Sequence, residues 1–295
     1  MTVQIEPKIQ SYLSARPQEN KTQGILSFPV LRHTPALEAN SYYFGRKDWA
    51  RGYLACHQYR AFKDRWQALM GSWEDKIVVD VGCGPGNVYR SLRKRCGTPR
   101  LLIGVDVARG GLELAAKQGY IPVLADAQDL PFVSEFADIV VVNATLHHSD
   151  DMEQVLREAA RLVRPGGLLV TDHDPQKSMF NDNLMAKLIW NGRLPIYRWM
   201  KRGGHSTADE QYWSTATEVH HKPGDGVTPK LFHETLEPMG FQVRLYPHNM
   251  KVGGEIVRGD RGLAPQKVRL AQRLTGVNPD SVLGAMMLMC VAVKH

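Results

Sequence analysis

Only four cysteines occur in 295 residues, Cys56, Cys83, Cys96 and Cys290, and no two form a C-x-x-C pair. Their scatter argues against a disulfide framework or a cysteine zinc site and suits a reducing cytoplasm. No apolar run approaches the ~18 residues of a membrane span, so none is expected. The opening residues, MTVQIEPKIQ, lack the apolar core of a signal peptide. Internal repeats and low-complexity tracts are missing as well. Acidic residues run short: 30 Asp and Glu against 37 Lys and Arg leave a formal net charge of +7. Such an excess fits a mildly basic enzyme, or a protein whose partner is anionic. The remaining composition, 43% hydrophobic and 23% charged, is that of a globular protein with one large domain or two small ones.

Against this background one stretch stands out, Val78 to Asn87, which reads V-V-D-V-G-C-G-P-G-N. Ile77, Val78, Val79 and Val81 are a β-branched run of the kind found in buried parallel strands. The run breaks into Gly82, Gly84 and Gly86. A strand, a glycine-rich turn and a helix together make a cofactor cradle, because glycine lets the backbone turn sharply and approach a ligand. The dinucleotide fingerprint requires G-x-G-x-x-G, and here its sixth position is Asn87. Asp80 lies two places before the first glycine. The pattern D-x-G-x-G-x-G after a hydrophobic strand resembles motif I of the class I S-adenosylmethionine (SAM) methyltransferases.

Residues 1 to about 40, rich in Pro, Gln, Asn and Thr, read as an extended or loosely held arm. From Tyr42 to Trp73, apolar and aromatic residues recur at three- and four-residue steps. That spacing predicts an amphipathic helix or helix pair, either packed on the sheet or closing over a ligand. Val88 to Arg95 reads as a helix whose N-terminus would favour a carboxylate. Leu101 to Val107 is a second buried strand. It ends in Asp106, 24 residues after Gly82, a spacing at which a carboxylate can accept from ribose hydroxyls. Leu112 to Gln118 reads as helix and Ile121 to Ala125 as a third strand.

The resemblance extends along this region. Asp126-Ala127 with Leu130-Pro131-Phe132 is similar to the family segment that meets the adenine ring. Ala137 to Asn143 is a fourth strand running into Ala144-Thr145-Leu146-His147-His148, similar to an element of the small-molecule branch, methyltransferase type 11 and its ubiquinone- and menaquinone-biosynthesis relatives. A helix from Met152 to Leu162, then Arg164-Pro165-Gly166-Gly167 and a fifth strand from Leu168 to Thr171, repeat another family mark. The resemblance implies an α/β, Rossmann-like, doubly wound sheet of seven strands, mostly parallel, with an N-terminal helical cap and insertions. It implies SAM as cofactor, with Asp80, Gly82, Cys83, Gly84, Gly86, Asp106, Val107, Asp126, Ala127, Asn143 and Ala144 around it.

Beyond Pro175, Met179 to Met200 reads as partly helical, with Gly192 and Pro195 expected to break or kink it. Tyr212 to Val227 reads as loop, Thr228 to Met239 as helix, Phe241 to Tyr246 and Met286 to Val293 as strands. Lys251 to Arg273 is a basic insertion, either a solvated face or a recognition surface for phosphate, carboxylate or RNA. The division expected is a cap over 1–75 and a SAM-binding domain over 76–295, with insertions at about 176–227 and 250–283.

Methyl transfer from a sulfonium needs proximity, alignment and a dry site, with a general base where the acceptor is acidic. His147, His148 and His173 follow strands at the carboxyl edge where open α/β sheets bind ligands, and are the catalytic candidates. Tyr43, Tyr212, His220 and His221 are the substrate candidates, and Trp190, Tyr197, Arg193, Arg198 and Lys222 could add to a mixed aromatic and cationic pocket. No metal is expected, since the cofactor motifs account for the histidine-rich region without one. The acceptor expected is a small molecule. An RNA methyltransferase, or a SAM-fold protein without transferase activity, are the alternatives.

Overall fold

A computed structural model of the chain describes residues 7–18 and 24–295; residues 1–6 and 19–23 of the expected arm lie outside the described residues. The arm and cap supply α1 (Pro7–Gln10), β1 (Leu26–Ser27), α2 (Pro35–Gly45), α3 (Lys47–Tyr53) and α4 (Arg60–Met70). The alternating core follows as β2 (Ile77–Val81), α5 (Asn87–Cys96), β3 (Leu101–Asp106), α6 (Arg109–Ala116), β4 (Ile121–Leu124), β5 (Ala137–Asn143), α7 (Met152–Leu162) and β6 (Val163–Asp172). Then come α8 (Leu184–Trp199), α9 (Ala208–Thr217), α10 (Pro229–Leu236), β7 (Phe241–His248), α11 (Gln266–Leu274) and β8 (Met287–Lys294). No helix among the described residues is long and apolar enough to cross a membrane.

The strands form one sheet in the order β1-β4-β3-β2-β5-β6-β8-β7. All run parallel except β8, which is antiparallel to both β6 and β7. Both faces are covered, as the β-branched runs require. Val79, Val81, Val140 and Val142 meet Val155 and Leu156 of α7 and Phe232 and Leu236 of α10. On the other face Val78, Ile139 and Val141 meet Phe62 and Trp66 of α4, Val88 and Leu92 of α5, and Leu112 of α6. From β2 the chain winds outward one way through β3 and β4, and from β5 the other way through β6. The crevice between the carboxyl ends of β2 and β5 is therefore the switch point where such sheets hold ligands.

Among the described residues the sheet has eight strands, one more than the seven expected, because β1 adds two residues parallel to β4. The described parts of the arm are held against the core: Ile9 and Phe28 are buried in it, and Leu13 pairs with Phe132. The Tyr42–Trp73 region holds parts of three helices where one or two were expected. Helix α8 runs unbroken through Gly192 and Pro195, and the carbonyl that Pro195 leaves without a donor belongs to exposed Asn191. Residues 212–217, expected as loop, complete α9 behind the Thr207 cap.

Candidate functional site

A cavity of about 310 Å³ opens at the switch point. Its floor is the turn between β2 and α5. There the Gly82 and Cys83 N–H groups donate to the Val105 carbonyl, at 2.8 and 3.0 Å, and fix the turn against β3. Gly84 has φ +50°, and nothing lies within 4 Å of where its Cβ would stand, so the backbone is bare toward the cavity. Its N–H donates to Asp106 Oδ2 at 2.8 Å, and Ala108 N–H donates to Oδ1 at 2.8 Å. Burial raises the Asp106 carboxyl, partly offset by these two bonds.

Two expected cofactor residues face elsewhere. Asp80 shares its side of β2 with Val78 and accepts from Tyr120 Oη at 2.7 Å beneath the turn. Burial pushes its carboxyl up to about 7. A Cβ on Gly86 would stand 2.8 Å from the Tyr120 ring, so Gly86 serves packing and does not line the cavity. Gly82, Cys83, Gly84, Asp106, Val107, Asp126, Ala127, Asn143 and Ala144 all line it. Asp126 accepts from Gln128 N–H at 2.9 Å and pairs with Arg32, whose Nε and Nη2 lie 2.8 and 2.7 Å from Oδ2. Arg32 was not foreseen; a lone basic residue between Leu31 and His33 carries no signal of a partner 94 positions away.

Imidazoles build much of the remaining wall. Residues Leu146–His148 form a 3₁₀ turn just beyond β5. Asp174, beyond β6, accepts from the backbone N–H of His147 and from its Nδ1, at 3.0 and 2.8 Å. That sets the ring tautomer and leaves the Nε2 lone pair, 3.7 Å from Glu218 Oε2. His148 donates from Nδ1 to the Thr217 carbonyl at 2.7 Å, and its ring lies 4.0 Å from that of His147, tilted by 39°. Burial pushes both imidazoles down to about 4 and the Asp174 carboxyl up to about 7. His173, at φ +61°, lies 2.8 Å from Tyr59 Oη and 4.4 Å from the His57 ring. All three candidate histidines line the cavity, joined by His57 and Glu218, which the sequence did not single out.

Behind His173 sits a buried hub. Asp172 Oδ2 accepts from Arg65 Nε and Nη2 at 3.2 and 3.0 Å and from Trp66 Nε1 at 2.8 Å. Its Oδ1 accepts from His248 Nε2 and the His173 N–H, both at 2.7 Å. His248 takes the Met250 N–H at Nδ1, 3.0 Å away, so it is the neutral Nε2–H tautomer; burial holds it down to about 4. Burial alone would raise the Asp172 carboxyl, but Arg65, His173 and His248 outweigh it and hold it well below the usual carboxylate range.

The substrate candidates divide. His221 lines the cavity. His220 does not: its N–H holds the His147 carbonyl at 2.9 Å and its ring meets Asp225. Tyr43 is buried one layer back, 3.1 Å from the Tyr53 hydroxyl, and Tyr53 takes the place at the wall. Tyr212 is 67% exposed. Helix α9 buries Glu210, Ser214 and Thr217, spaced four and three apart, which turns Tyr212 outward. Trp190, Tyr197, Arg193, Arg198 and Lys222 also stay off the lining; the Arg193 guanidinium lies 3.5 Å over the Trp190 ring. No basic residue of 251–273 lines the cavity either, and Arg269 pairs with Asp280 at 2.7 Å.

Residues 79–171 match the family model described as a methyltransferase domain. The chain is 28% identical over 194 residues to a demethylmenaquinone methyltransferase of Bacillus velezensis, covering 63% of this chain and 82% of that one. It is 31% identical over 97 residues to a tRNA (carboxymethyluridine(34)-5-O)-methyltransferase of Arabidopsis thaliana, covering 32% of this chain and only 23% of the plant protein. Its fold is similar to the crystal structure of the 4+2 cyclase SpnF, with a TM-score of 0.51 at 15% identity over 91% of this chain and 98% of that chain.

Proposed function

We propose, from the premise that this chain is a class I SAM-dependent methyltransferase of the ubiquinone- and menaquinone-biosynthesis-like branch, that it methylates a small organic acceptor held against the histidines at the carboxyl edge of its sheet. The observation that carries the reading is a single cavity lined by the glycine turn, Asp106 and Asp126 together with His147, His148, His173 and His221.

The residues present fit the methyl donor. The bare backbone at Gly84 and the first N–H groups of α5 suit its amino-acid carboxylate. Asp106 suits the ribose hydroxyls, and Asp126 with Ala127 the adenine. The donor supplies a methyl already activated by positive sulfur, so the chain's task is to bind, align and exclude water. Helix α2 contributes Leu37, Asn40 and Phe44 to the wall, and the Asn40 amide donates to the His148 carbonyl at 3.0 Å, tying the cap to the histidine turn. His148, with Nδ1 committed to a carbonyl, offers its Nε2 lone pair to an acceptor hydroxyl or amine. The apolar lining of Phe44, Tyr53 and Met287, together with demethylmenaquinone methyltransferases among the relatives, supports a ring-bearing acceptor with an acidic hydroxyl or carbon. In this reading residues 1–75 act as the cap and 76–295 as the catalytic domain, with selectivity in the cap and in 176–227.

The test is incubation with methyl-labelled SAM and either a metabolite extract or total RNA. Label in a small-molecule fraction is expected. Label in RNA, or none anywhere despite tight SAM binding, overturns the reading.

A further inference from the structure

We propose that His147, His221 and Glu218 form a binding site for one divalent first-row metal ion, of the two-histidine, one-carboxylate kind, at the acceptor end of the cavity. Its placement beside an acceptor rests on the methyltransferase reading; the metal binding itself does not.

The donor atoms of the three side chains lie within 4.8 Å of one another. Two donors on one zinc ion at bond lengths of about 2.0–2.1 Å stand roughly 3.3 Å apart in a tetrahedron, so the widest pair must close by about 1.5 Å at most, while Glu218 and His221, now in hydrogen-bond contact, open slightly as the ion replaces the shared proton. Glu218 Oε2 is already 3.7 Å from His147 Nε2 and in contact with His221 Nδ1. The donors come from two segments, the turn after β5 and the stretch just past α9. A backbone bond joins them, the His220 N–H to the His147 carbonyl at 2.9 Å, so their approach is set by main chain as well as by side chains.

The surroundings of His147 match those of a metal-bound imidazole. Such a ring gives its other nitrogen to a carboxylate, which orients it and makes it more basic. Here Asp174 takes Nδ1 at 2.8 Å and leaves Nε2 for the ion. Two imidazole nitrogens and one carboxylate suit Zn²⁺, Fe²⁺ or Mn²⁺, whereas Mg²⁺ and Ca²⁺ prefer oxygen alone. All three residues line the cavity, so the remaining coordination positions face it, open to water or to a hydroxyl or keto oxygen of the acceptor.

The experiment uses the full chain, stripped with a chelator and titrated with ZnCl₂ by calorimetry, with no acceptor present. One equivalent of Zn²⁺ is expected to bind, Mg²⁺ is not, and Co²⁺ in its place should give the visible spectrum of a low-coordinate histidine site. Glu218→Gln and His221→Ala should each weaken Zn²⁺ at least tenfold. Asp174→Asn, which leaves all three ligands in place, should weaken it about tenfold to a hundredfold. Thermal unfolding and SAM affinity check that each variant is folded. Absence of stoichiometric Zn²⁺ binding, or binding that survives Glu218→Gln and His221→Ala combined, overturns the proposal. In either case retained SAM binding and methyl transfer leave the methyltransferase reading standing, while failure of those two would overturn that reading alone.

Discussion

Asp172→Asn is expected to be among the most destabilising single-atom changes available in this fold. The carboxylate receives five donors, and both it and Arg65 are wholly buried. An asparagine can turn its oxygen toward only one of the two donor groups, so its NH₂ must face either Arg65 and Trp66 or His248 and the His173 amide. Arg65 also loses the charge that neutralised it. Breaking a buried ion pair from one side costs about 3–5 kcal/mol, against a total stability of about 5–15 kcal/mol for a folded protein. The assay is urea unfolding followed by circular dichroism, with the loss read as a lower midpoint at unchanged slope. Removing both partners with apolar residues, Arg65→Met with Asp172→Leu, should cost less than the sum of the single changes, because neither leaves the other stranded. The pH profile adds a second check. A carboxylate held below its unfolded value of about 3.9 contributes stability above that value and loses it as the pH falls further. The gap between wild type and Asp172→Asn should therefore be constant near neutrality and narrow below about pH 4. A loss under about 1 kcal/mol, or strict additivity in the double variant, would refute the hub.

Three further outcomes are expected. Asp106→Ala should weaken SAM binding by about 1–3 kcal/mol in calorimetry, since it removes a charged acceptor and frees the Gly84 N–H it fixes; unchanged affinity in a folded variant would take Asp106 off the ribose. Asp80 titrates above its unfolded value, so the stability its protonated form contributes is lost as pH rises from about 4 to about 7. Asp80→Asn, which mimics the protonated acid, should gain on wild type by about 2 kcal/mol between pH 5 and 8 in urea unfolding, and parallel profiles would count against it. His148→Ala should keep near-normal SAM affinity with reduced turnover once the acceptor is known, whereas Tyr212→Phe should change neither; impaired transfer in the Tyr212 variant alone would move the acceptor site.

The alternating core was legible because its signals are local. A β-branched run, a glycine turn and a capped amphipathic helix each occupy a few consecutive residues, and Asp151 capping α7 at Gln154 N–H is of that kind. What stayed hidden depends on partners far along the chain. Nothing in Leu26-Ser27 announces a strand; it exists because β4 offers an edge. Parity along β2 could not tell which way Asp80 faces, since both sides of the sheet are apolar and the cavity lies beyond its end. Helix α9 buries a polar stripe of Glu210, Ser214 and Thr217, so no hydrophobic pattern marks Tyr212 as outward. His57 and Glu218 became visible as site residues only once long-range contacts brought them to the cavity wall, and Arg32 only through its pair with Asp126.

The position of β8 imposes an order on biosynthesis. Strands β6 and β7 do not pair with each other; the slot between them is filled by Met287–Lys294, translated after both. Until that segment emerges, the nascent chain carries two open edges and an unfilled gap, a state prone to association and dependent on slow non-local pairing. The same insertion brings Met287 to the cavity wall and lets the Leu288 N–H reach the Asp174 carbonyl at 3.4 Å. The edges of β6 and β7 thus close only once Met287–Lys294 is clear of the ribosome, so nascent chains stopped before Met287 should stay chaperone-bound, whereas those carrying β8 on a C-terminal linker long enough to clear the exit tunnel should be released.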